Sequence, residues 1–365
     1  MKDYKYDINY WKTFDWKKIT MQHSDFAEFC YTYMVPHESV LDICNGNGRD
    51  SVFFEEKGLE VTSFDFGILN LEDRIPLFNL KEKFKHVYCR FVLHCLPEGL
   101  EDYILINSNK ILENHGLLYI EARSDKGIIE DSLDTHYRRF INKEDLKNKL
   151  ERLNFKIISE KESADLSEYN NENPVLIRIV AEKLGDIITR GMLQDEKKTY
   201  CPLNVLTSYY LLTTVKRIFQ ENNITFFLLF GTLLGAYRDK GFIKGDTDID
   251  LGLFEKDKEK VMCLINDGYF AIYGFLFIRE WHGKDHLKAL QYKTDYIDFW
   301  FFEKEGDFYK SGNFHDIKAY QIDNGLSKIK LYGDEYNTIN NIENYLNRHY
   351  PRGWKKIIKG YHAKI

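Results

Sequence analysis

Three aspartates at alternate positions constrain this chain more than any other feature, because they interrupt an otherwise apolar run. The stretch GDTDIDLGLF contains Asp246, Asp248 and Asp250. In an extended strand alternate residues face the same side, so the three carboxylates would project from one face. Like charges that close repel each other unless a cation lies between them, and oxygen ligands of this kind suit Mg²⁺ or Mn²⁺. The pattern therefore predicts a divalent-metal site that holds the phosphates of a nucleotide.

Other residues nearby in sequence extend this interpretation. Asp298 interrupts the apolar strand DYIDFWFF. Burying a carboxylate without a partner would cost roughly several kcal/mol of folding free energy. We therefore expect Asp298 to face the same metal or to act on an acceptor. Gly231 and Thr232 are predicted to form a turn whose N–H groups and hydroxyl cradle a phosphate, with Arg238 adding positive charge. The alternative is that the aspartates form a solvated edge or a calcium loop, but the EF-hand spacing is missing.

These segments resemble the LicD/fukutin-related family of the nucleotidyltransferase superfamily over roughly residues 200 to 360. The matching stretches are GTLLGAYRDKGFI, DTDIDLG, YIDFWFF and IENYLNRHYPRGWKK. The chain departs from the family at Lys244 and Gly245, where Pro-Trp is usual, and at Thr247, where an aspartate is usual. The resemblance implies transfer of a phosphorylated alcohol, such as phosphocholine or ribitol phosphate, from a CDP-activated donor to a glycan hydroxyl.

The same resemblance implies a role for each aspartate. Asp248 and Asp250 would bind the metal, and Asp298 would be a third ligand or the general base for the acceptor. Asp246 would be a supporting ligand or an acid one layer behind the ligands.

A second glycine-rich segment, VLDICNGNGRDSVFF, has the order of a nucleotide-binding turn. An apolar strand ends at Asp42, Gly46 and Gly48 permit a tight turn close to a ligand, and a helix follows. Asp65 ends the next strand about 20 residues later, where a carboxylate can accept both hydroxyls of a ribose. The combination predicts a cofactor site at the ends of two neighbouring strands.

This segment resembles the class I S-adenosylmethionine-dependent methyltransferases over roughly residues 38 to 183, including YCRFVLHCL and HYRRFINKEDLKNKLERLNFKI. The resemblance implies binding of S-adenosylmethionine and methyl transfer. Cys44 stands where the family has its first glycine, and its side chain could crowd the methionine moiety. His94 could be a general base or a structural histidine. Four arginines could grip a phosphorylated acceptor or lie on the surface: Arg90, Arg123, Arg138 and Arg139.

Length and periodicity predict two domains. At 365 residues the chain exceeds the usual size of one hydrophobic core. We predict an α/β Rossmann-like methyltransferase domain at 1–185, whose sheet ends in an antiparallel edge. A linker at 186–199 leads to an α+β nucleotidyltransferase-like domain with a small mixed sheet at 200–365. A helix with Pro202 in its first turn is expected to open that second domain.

The composition of the chain limits the kinds of partner and the location that we expect for the protein. A net charge of −6 argues against a general nucleic-acid binder. The sequence contains neither a signal-peptide core nor an apolar run of about 18 residues, so we expect a cytoplasmic protein without a transmembrane segment. The basic, partly apolar tail WKKIIKGYHAKI could touch an anionic membrane surface or pack as a helix on its own domain. Six scattered cysteines suggest neither zinc nor disulfides.

Together these features predict a bifunctional enzyme of polysaccharide biosynthesis with a glycan or lipid-linked oligosaccharide acceptor. One domain would transfer a phosphoalcohol with Mg²⁺ or Mn²⁺, and the other would transfer a methyl group from S-adenosylmethionine to the same glycan or to its phosphoryl substituent. An alternative is a nucleotidyltransferase that makes an activated donor or adenylylates an acceptor. In another alternative the N-terminal half is a non-catalytic binding module.

Overall fold

The protein consists of two compact units, Met1–Ile188 and Thr189–Ile365, which we call unit 1 and unit 2. The structure is a computed structural model. It describes residues 10, 13–15, 19–64, 82–127, 137–167, 173–190, 201–281, 286–312 and 315–355, without the side chains of 279–281, 286–289 and 315.

Unit 1 contains a six-stranded sheet with the order β2-β1-β3-β4-β6-β5. The first four strands of that order run parallel, whereas β6 is antiparallel to both of its neighbours. The antiparallel edge that the sequence predicts is therefore confirmed. The strands are β1 (Ser39–Ile43), β2 (Glu60–Phe64), β3 (Phe84–Arg90), β4 (Leu112–Arg123), β5 (Phe155–Ser163) and β6 (Leu176–Lys183).

The helices of unit 1 begin at sequence signals that can be read locally. The Asn142 side chain accepts a hydrogen bond from the Asp145 N–H and starts a helix that buries Leu146 and Leu150 on one face. Ser24 caps another helix, which packs its buried side chains into a core with β1, β3, β4 and β6. The helices are α1 (Asp25–Tyr31), α2 (Arg49–Glu56), α3 (Glu98–Ile111) and α4 (Lys143–Arg152).

Unit 2 contains a seven-stranded mixed sheet and a separate hairpin, β14-β15. The central strand β11 pairs antiparallel with β10 and parallel with β8, and β8 pairs antiparallel with β7. Beyond these pairs the sheet continues from β11 to β12 and β13, and from β10 to β9. The strands are β7 (Phe226–Leu228), β8 (Ile249–Phe254), β9 (Leu276–Trp281), β10 (His286–Tyr292), β11 (Asp295–Glu305), β12 (Phe308–Ser311), β13 (His315–Lys318), β14 (Ser327–Leu331) and β15 (Asp334–Thr338).

The longest helix of unit 2 covers one face of this sheet, since the Phe219 ring lies 5.4 Å from the Phe299 ring of β11. Asn204 caps that helix by accepting from the N–H groups of Leu206 and Thr207. Pro202 therefore lies before the helix, and the prediction that it occupies the first turn is wrong because the asparagine side chain sets the start. The helices are α5 (Val205–Glu221), α6 (Phe230–Leu234), α7 (Lys258–Asp267) and α8 (Ile342–His349).

Both fold classes predicted from the sequence are confirmed: unit 1 is an α/β Rossmann-like fold and unit 2 is α+β with a mixed sheet. The chain passes from one unit to the next between Ile188 and Thr189. Among the helices of the described ranges, none combines the length and the apolar character needed to cross a membrane.

Candidate functional site

Two buried aspartates lie side by side on the central strands of unit 2. Strands β8 and β11 are parallel, and their register pairs Asp250 with Asp298. Asp250 is 9% exposed and Asp298 is 3% exposed. Because paired residues of adjacent strands face the same side, the sheet itself brings together two carboxylates that lie far apart in sequence.

Asp246 and Asp248 lie in the loop before β8, and the prediction that all three alternating aspartates belong to one strand is wrong. Pairing with β11 begins only at Ile249, opposite Ile297, so the regular strand starts one residue before Asp250. The loop is held by its backbone, because the Asp246 carbonyl accepts from the Leu203 N–H at 2.7 Å.

The charges of neighbouring aspartates nevertheless raise the pKa values of Asp246 and Asp250. Burial raises the pKa of Asp246 to about 7, the charge of Asp248 adds to this increase, and a hydrogen bond from the Thr247 N–H opposes it. The pKa of Asp250 is raised well above its usual range by burial and then by the charges of Asp248, Asp298 and Asp246. We call Asp246, Asp248, Asp250 and Asp298 the acidic cluster.

The chemistry of the acidic cluster fits Mg²⁺ or Mn²⁺, since both ions prefer carboxylate oxygens. In the conformation described, no three acidic, histidine or cysteine side chains within the described ranges are gathered into a coordination group. Metal binding by Asp246, Asp248, Asp250 and Asp298 stays a prediction.

Gly231 and Thr232 lie within helix α6 rather than in the turn predicted from the sequence. A Cβ on Gly231 would stand 2.6 Å from the Asp246 Oδ2, so glycine makes room for that carboxylate. Thr232 is 1% exposed, and its hydroxyl oxygen accepts from the Asp250 N–H at 2.9 Å. Both residues thus position aspartates of the acidic cluster, and their role toward a phosphate stays a prediction.

Arg238 lies in a five-residue π-helical segment, Gly235–Asp239, that continues from α6. Its Nε and Nη2 donate to the two carboxylate oxygens of Asp239, each at 2.7 Å, and its Nη1 donates to the Trp354 carbonyl at 3.1 Å. The charge of Arg238 is therefore matched locally, and the side chain ties this segment to the C-terminal part of unit 2. Its predicted contact with a diphosphate remains a prediction.

Trp300 is the residue of this site that sequence reasoning missed. Its indole Nε1 donates to the Asp250 Oδ1 at 3.0 Å, and its ring makes an edge-on contact with Phe230 at 5.2 Å. Phe230 itself has a left-handed φ of 40°, a conformation that is strained for a residue other than glycine. Strand alternation could have placed Trp300 on the same face as Asp298, two residues earlier.

In unit 1 the glycine-rich segment forms a tight turn between β1 and α2. Gly46 and Gly48 have left-handed φ values of 59° and 77°, and Gly48 is the residue that starts α2. Asp42 lies within β1, where the Ser51 hydroxyl donates to its Oδ2 at 2.6 Å. Burial raises the pKa of Asp42 to about 7, the hydrogen bond from Ser51 opposes this increase, and the charge of Asp50 adds to it.

Cys44 occupies the first position of this turn with a left-handed φ of 61°. The backbone there is one that a glycine adopts more easily, so the substitution noted in the sequence falls on a conformationally demanding position. Asp65, predicted to bind the ribose, lies outside the described residues, and its role stays a prediction.

The structure favours a structural role for His94. The residue is 3% exposed, its Nδ1 accepts from the Arg123 N–H at 3.3 Å, and its carbonyl accepts from the Arg139 N–H at 2.7 Å. Arg139 donates to Glu101, and Arg90 donates to Glu121. Arg90 and Arg139 therefore hold buried carboxylates within unit 1.

Comparison with known proteins finds similarity in unit 2. Residues 223–326 match the model of the LicD/FKTN/FKRP nucleotidyltransferase domain. An uncharacterized protein of Rickettsia typhi is 29% identical over 190 residues, covering 47% of this chain and 52% of that protein. A second uncharacterized protein, from Rickettsia prowazekii, is 25% identical over 185 residues, covering 46% of this chain and 63% of its own length. The chain thus spans between half and two thirds of these relatives.

Unit 1 is similar to a methyltransferase of known structure. The 1,6-didemethyltoxoflavin-N1-methyltransferase of Burkholderia thailandensis, solved with S-adenosylhomocysteine, is 18% identical and covers 46% of this chain and 80% of its own, with a TM-score of 0.37. The strand order and the glycine turn of unit 1 by themselves define its Rossmann-like fold.

Proposed function

Because residues 223–326 match the model of the LicD/FKTN/FKRP nucleotidyltransferase domain, we propose that unit 2 transfers a phosphorylated alcohol from a CDP-activated donor to a glycan hydroxyl. The acceptor is a glycan or a lipid-linked oligosaccharide. The observation that carries this proposal is the acidic cluster, in which the charges of Asp246, Asp248 and Asp298 all act on buried Asp250. A metal-bound diphosphate is a group that such a cluster can hold.

In this proposal Asp248 and Asp250 hold Mg²⁺ or Mn²⁺, which supplies positive charge to the donor's phosphate oxygens. Asp298 is a third ligand, or else it accepts the proton that the attacking glycan hydroxyl loses. Asp246 supports the ligands from the loop before β8. Catalysis then rests on alignment of donor and acceptor and on charge stabilisation, as is usual for transfer of phosphorylated groups.

A thermal-shift panel tests this proposal directly. Cytidine, uridine, guanosine and adenosine nucleotides are each added with and without Mn²⁺, and a ligand at 100 times its Kd stabilises the protein by about 2.7 kcal/mol. We expect Mn²⁺-dependent stabilisation by CMP and CDP that is lost in Asp250→Ala. Asp323→Asn is the matched control, since Asp323 pairs with Lys304 in an exposed position. No stabilisation by any nucleotide with Mn²⁺ would contradict the proposal.

The reaction products distinguish phosphoalcohol transfer from the alternative nucleotidyltransferase function. Release of CMP from a CDP-linked alcohol is the expected result for phosphoalcohol transfer. Release of pyrophosphate from a nucleoside triphosphate would instead identify an enzyme that makes an activated donor or adenylylates an acceptor, with the same carboxylates binding the metal.

For unit 1 we propose methyl transfer from S-adenosylmethionine to the same glycan or to its phosphoryl substituent. The supporting observation is the left-handed turn at Gly46 and Gly48, placed between β1 and α2 beside Asp42. Calorimetric titration with S-adenosylhomocysteine tests it, and we expect binding that Asp42→Ala weakens. If the cofactor does not bind while unit 2 is active, unit 1 is a non-catalytic binding module.

We further propose that the two reactions act on one acceptor in the cytoplasm, with peripheral contact at the membrane where the acceptor is lipid-linked. Labelled S-adenosylmethionine is supplied with acceptor glycan in the presence and absence of the CDP-linked donor. Coupled action predicts methyl label that depends on the donor, and label that enters equally well without it contradicts the coupling. Fractionation of cell lysates into membrane and supernatant checks the location.

A further inference from the structure

Trp300 lies next to the acidic cluster on the same face of the sheet. It follows Asp298 by two positions on β11 and pairs with Gly252, whereas Asp298 pairs with Asp250. The indole thus stands one step along the sheet from Asp250, and its Nε1 donates back to the Asp250 Oδ1 at 3.0 Å.

The kind of donor distinguishes Asp250 from Glu121, one of the buried carboxylates of unit 1. Glu121 is fully buried and is held by two guanidinium groups, from Arg90 at 2.9 Å and from Arg178 at 2.6 Å. Asp250 is 9% exposed and receives its hydrogen bond from an uncharged indole. Glu121 is therefore neutralised by the protein, whereas the contact from Trp300 orients Asp250 without supplying a positive charge.

An uncharged donor can orient a metal-binding carboxylate without bringing a second positive charge near the cation. The indole N–H can only donate, and it occupies Oδ1 of Asp250. Oδ2 is then the oxygen of Asp250 that a cation would bind. Hydrogen bonds to metal ligands commonly fix their orientation in this way and contribute to metal affinity.

Trp300 and Asp250 are themselves held in place. The Trp300 ring packs edge-on against Phe230 at 5.2 Å. The Asp250 N–H donates to the Thr232 hydroxyl oxygen at 2.9 Å, and the Asp250 carbonyl accepts from the Leu229 N–H at 3.2 Å. With the backbone fixed on both sides, rotation of the Asp250 side chain is the remaining freedom, and the indole restricts it.

We propose that Trp300 is a positioning residue, which orients Asp250 so that the acidic cluster binds a divalent cation. This inference rests on the proposed function of unit 2. The residue itself touches neither the cation nor the substrate in this role and acts through the Asp250 carboxylate.

The test is Mn²⁺ affinity of the full-length chain, measured by electron paramagnetic resonance of free Mn²⁺, together with thermal melting. Trp300→Phe keeps an aromatic ring and removes the N–H, and we expect its affinity for Mn²⁺ to be about 10- to 100-fold weaker. Trp300→Gln returns an uncharged N–H donor and should recover part of that loss. Phe302→Leu, on the same strand and face, is the control that alters packing only.

The outcomes separate this inference from the proposed function. Wild-type binding with a loss in Trp300→Phe and recovery in Trp300→Gln supports it. Wild-type affinity in Trp300→Phe overturns it and leaves the proposed function standing, as does an equal loss in Trp300→Phe and Phe302→Leu that follows their melting temperatures. A wild-type chain that binds no Mn²⁺ overturns both.

Discussion

The Asp246 carboxylate lies over the backbone of Gly231, with Oδ2 2.6 Å from the point that a Cβ on this glycine would occupy. Real Cβ atoms do not tolerate such a distance, so any side chain at position 231 displaces the carboxylate. The helix that follows β7 and the loop that precedes β8 can therefore approach this closely only because residue 231 has no Cβ.

The first prediction concerns this contact. Gly231→Ala should displace Asp246 and weaken Mn²⁺ binding by roughly 10-fold, as expected when a residue that supports a metal site is lost. Titration of the full-length variant with Mn²⁺ measures the effect. Gly306→Ala is the control, because Gly306 has a left-handed φ of 58° and open space around it. That variant should lose about 1 kcal/mol of stability and keep its Mn²⁺ affinity.

A second prediction concerns the hydroxyl of Thr232, which accepts from the Asp250 N–H. Thr232→Val keeps the shape of the side chain and leaves a buried N–H without its acceptor, which costs about 1–3 kcal/mol. Urea unfolding should report this loss. Thr232→Ser retains the oxygen and should lose less than half as much, and equal losses in both variants would show that the methyl group matters more than the hydrogen bond.

The third prediction concerns pH. Burial raises the pKa of Asp42 to about 7 from an ordinary value of 3.8. The folded state therefore binds this proton more tightly than the unfolded chain does. The stability that Asp42 contributes is complete below pH 3.8, declines above it, and is lost as the pH rises through about 7.

Asp42→Asn removes this dependence while its amide oxygen can still accept from Ser51. At pH 8 the variant should exceed the wild type in stability by about 1–3 kcal/mol, and the difference should shrink toward pH 5. Thermal melting from pH 5 to pH 8.5 measures it. A difference that stays constant over this range would show that Asp42 does not titrate there.

The fourth prediction concerns Cys44, whose left-handed φ of 61° suits glycine. If its side chain crowds the methionine moiety, Cys44→Gly should tighten binding of S-adenosylhomocysteine roughly 3- to 10-fold, the relief expected from removing one badly packed group. Calorimetry provides the affinity. Cys44→Ser keeps a side chain of similar size and should bind like the wild type, and the same gain in Ser and Gly variants would contradict crowding.

Local patterns predicted most of the fold because they act within a few residues. Leu146 and Leu150 stand at helical spacing in the sequence and lie in α4, and the glycine turn predicted the junction of β1 and α2. The antiparallel edge formed by β6 followed from two apolar strands placed after that helix.

The parts that the sequence did not predict depend on register between distant strands. The start of β8 is set by the pairing of Ile249 with Ile297, which left Asp246 and Asp248 in the preceding loop. The bond from Trp300 to Asp250 joins residues 50 positions apart, and nothing in either segment alone specifies it. The sequence alone indicates which strands contain the candidate functional residues. The register between distant strands determines which of their side chains contact one another.

The division of the chain between Ile188 and Thr189 has a consequence for how two chemistries can depend on each other. The described residues of the glycine turn all precede this boundary, and the acidic cluster and Trp300 all follow it. The two candidate sites therefore share none of the described residues. If the two reactions proposed for these sites follow an obligatory order, the group added at one site can serve as the feature that the other site recognises.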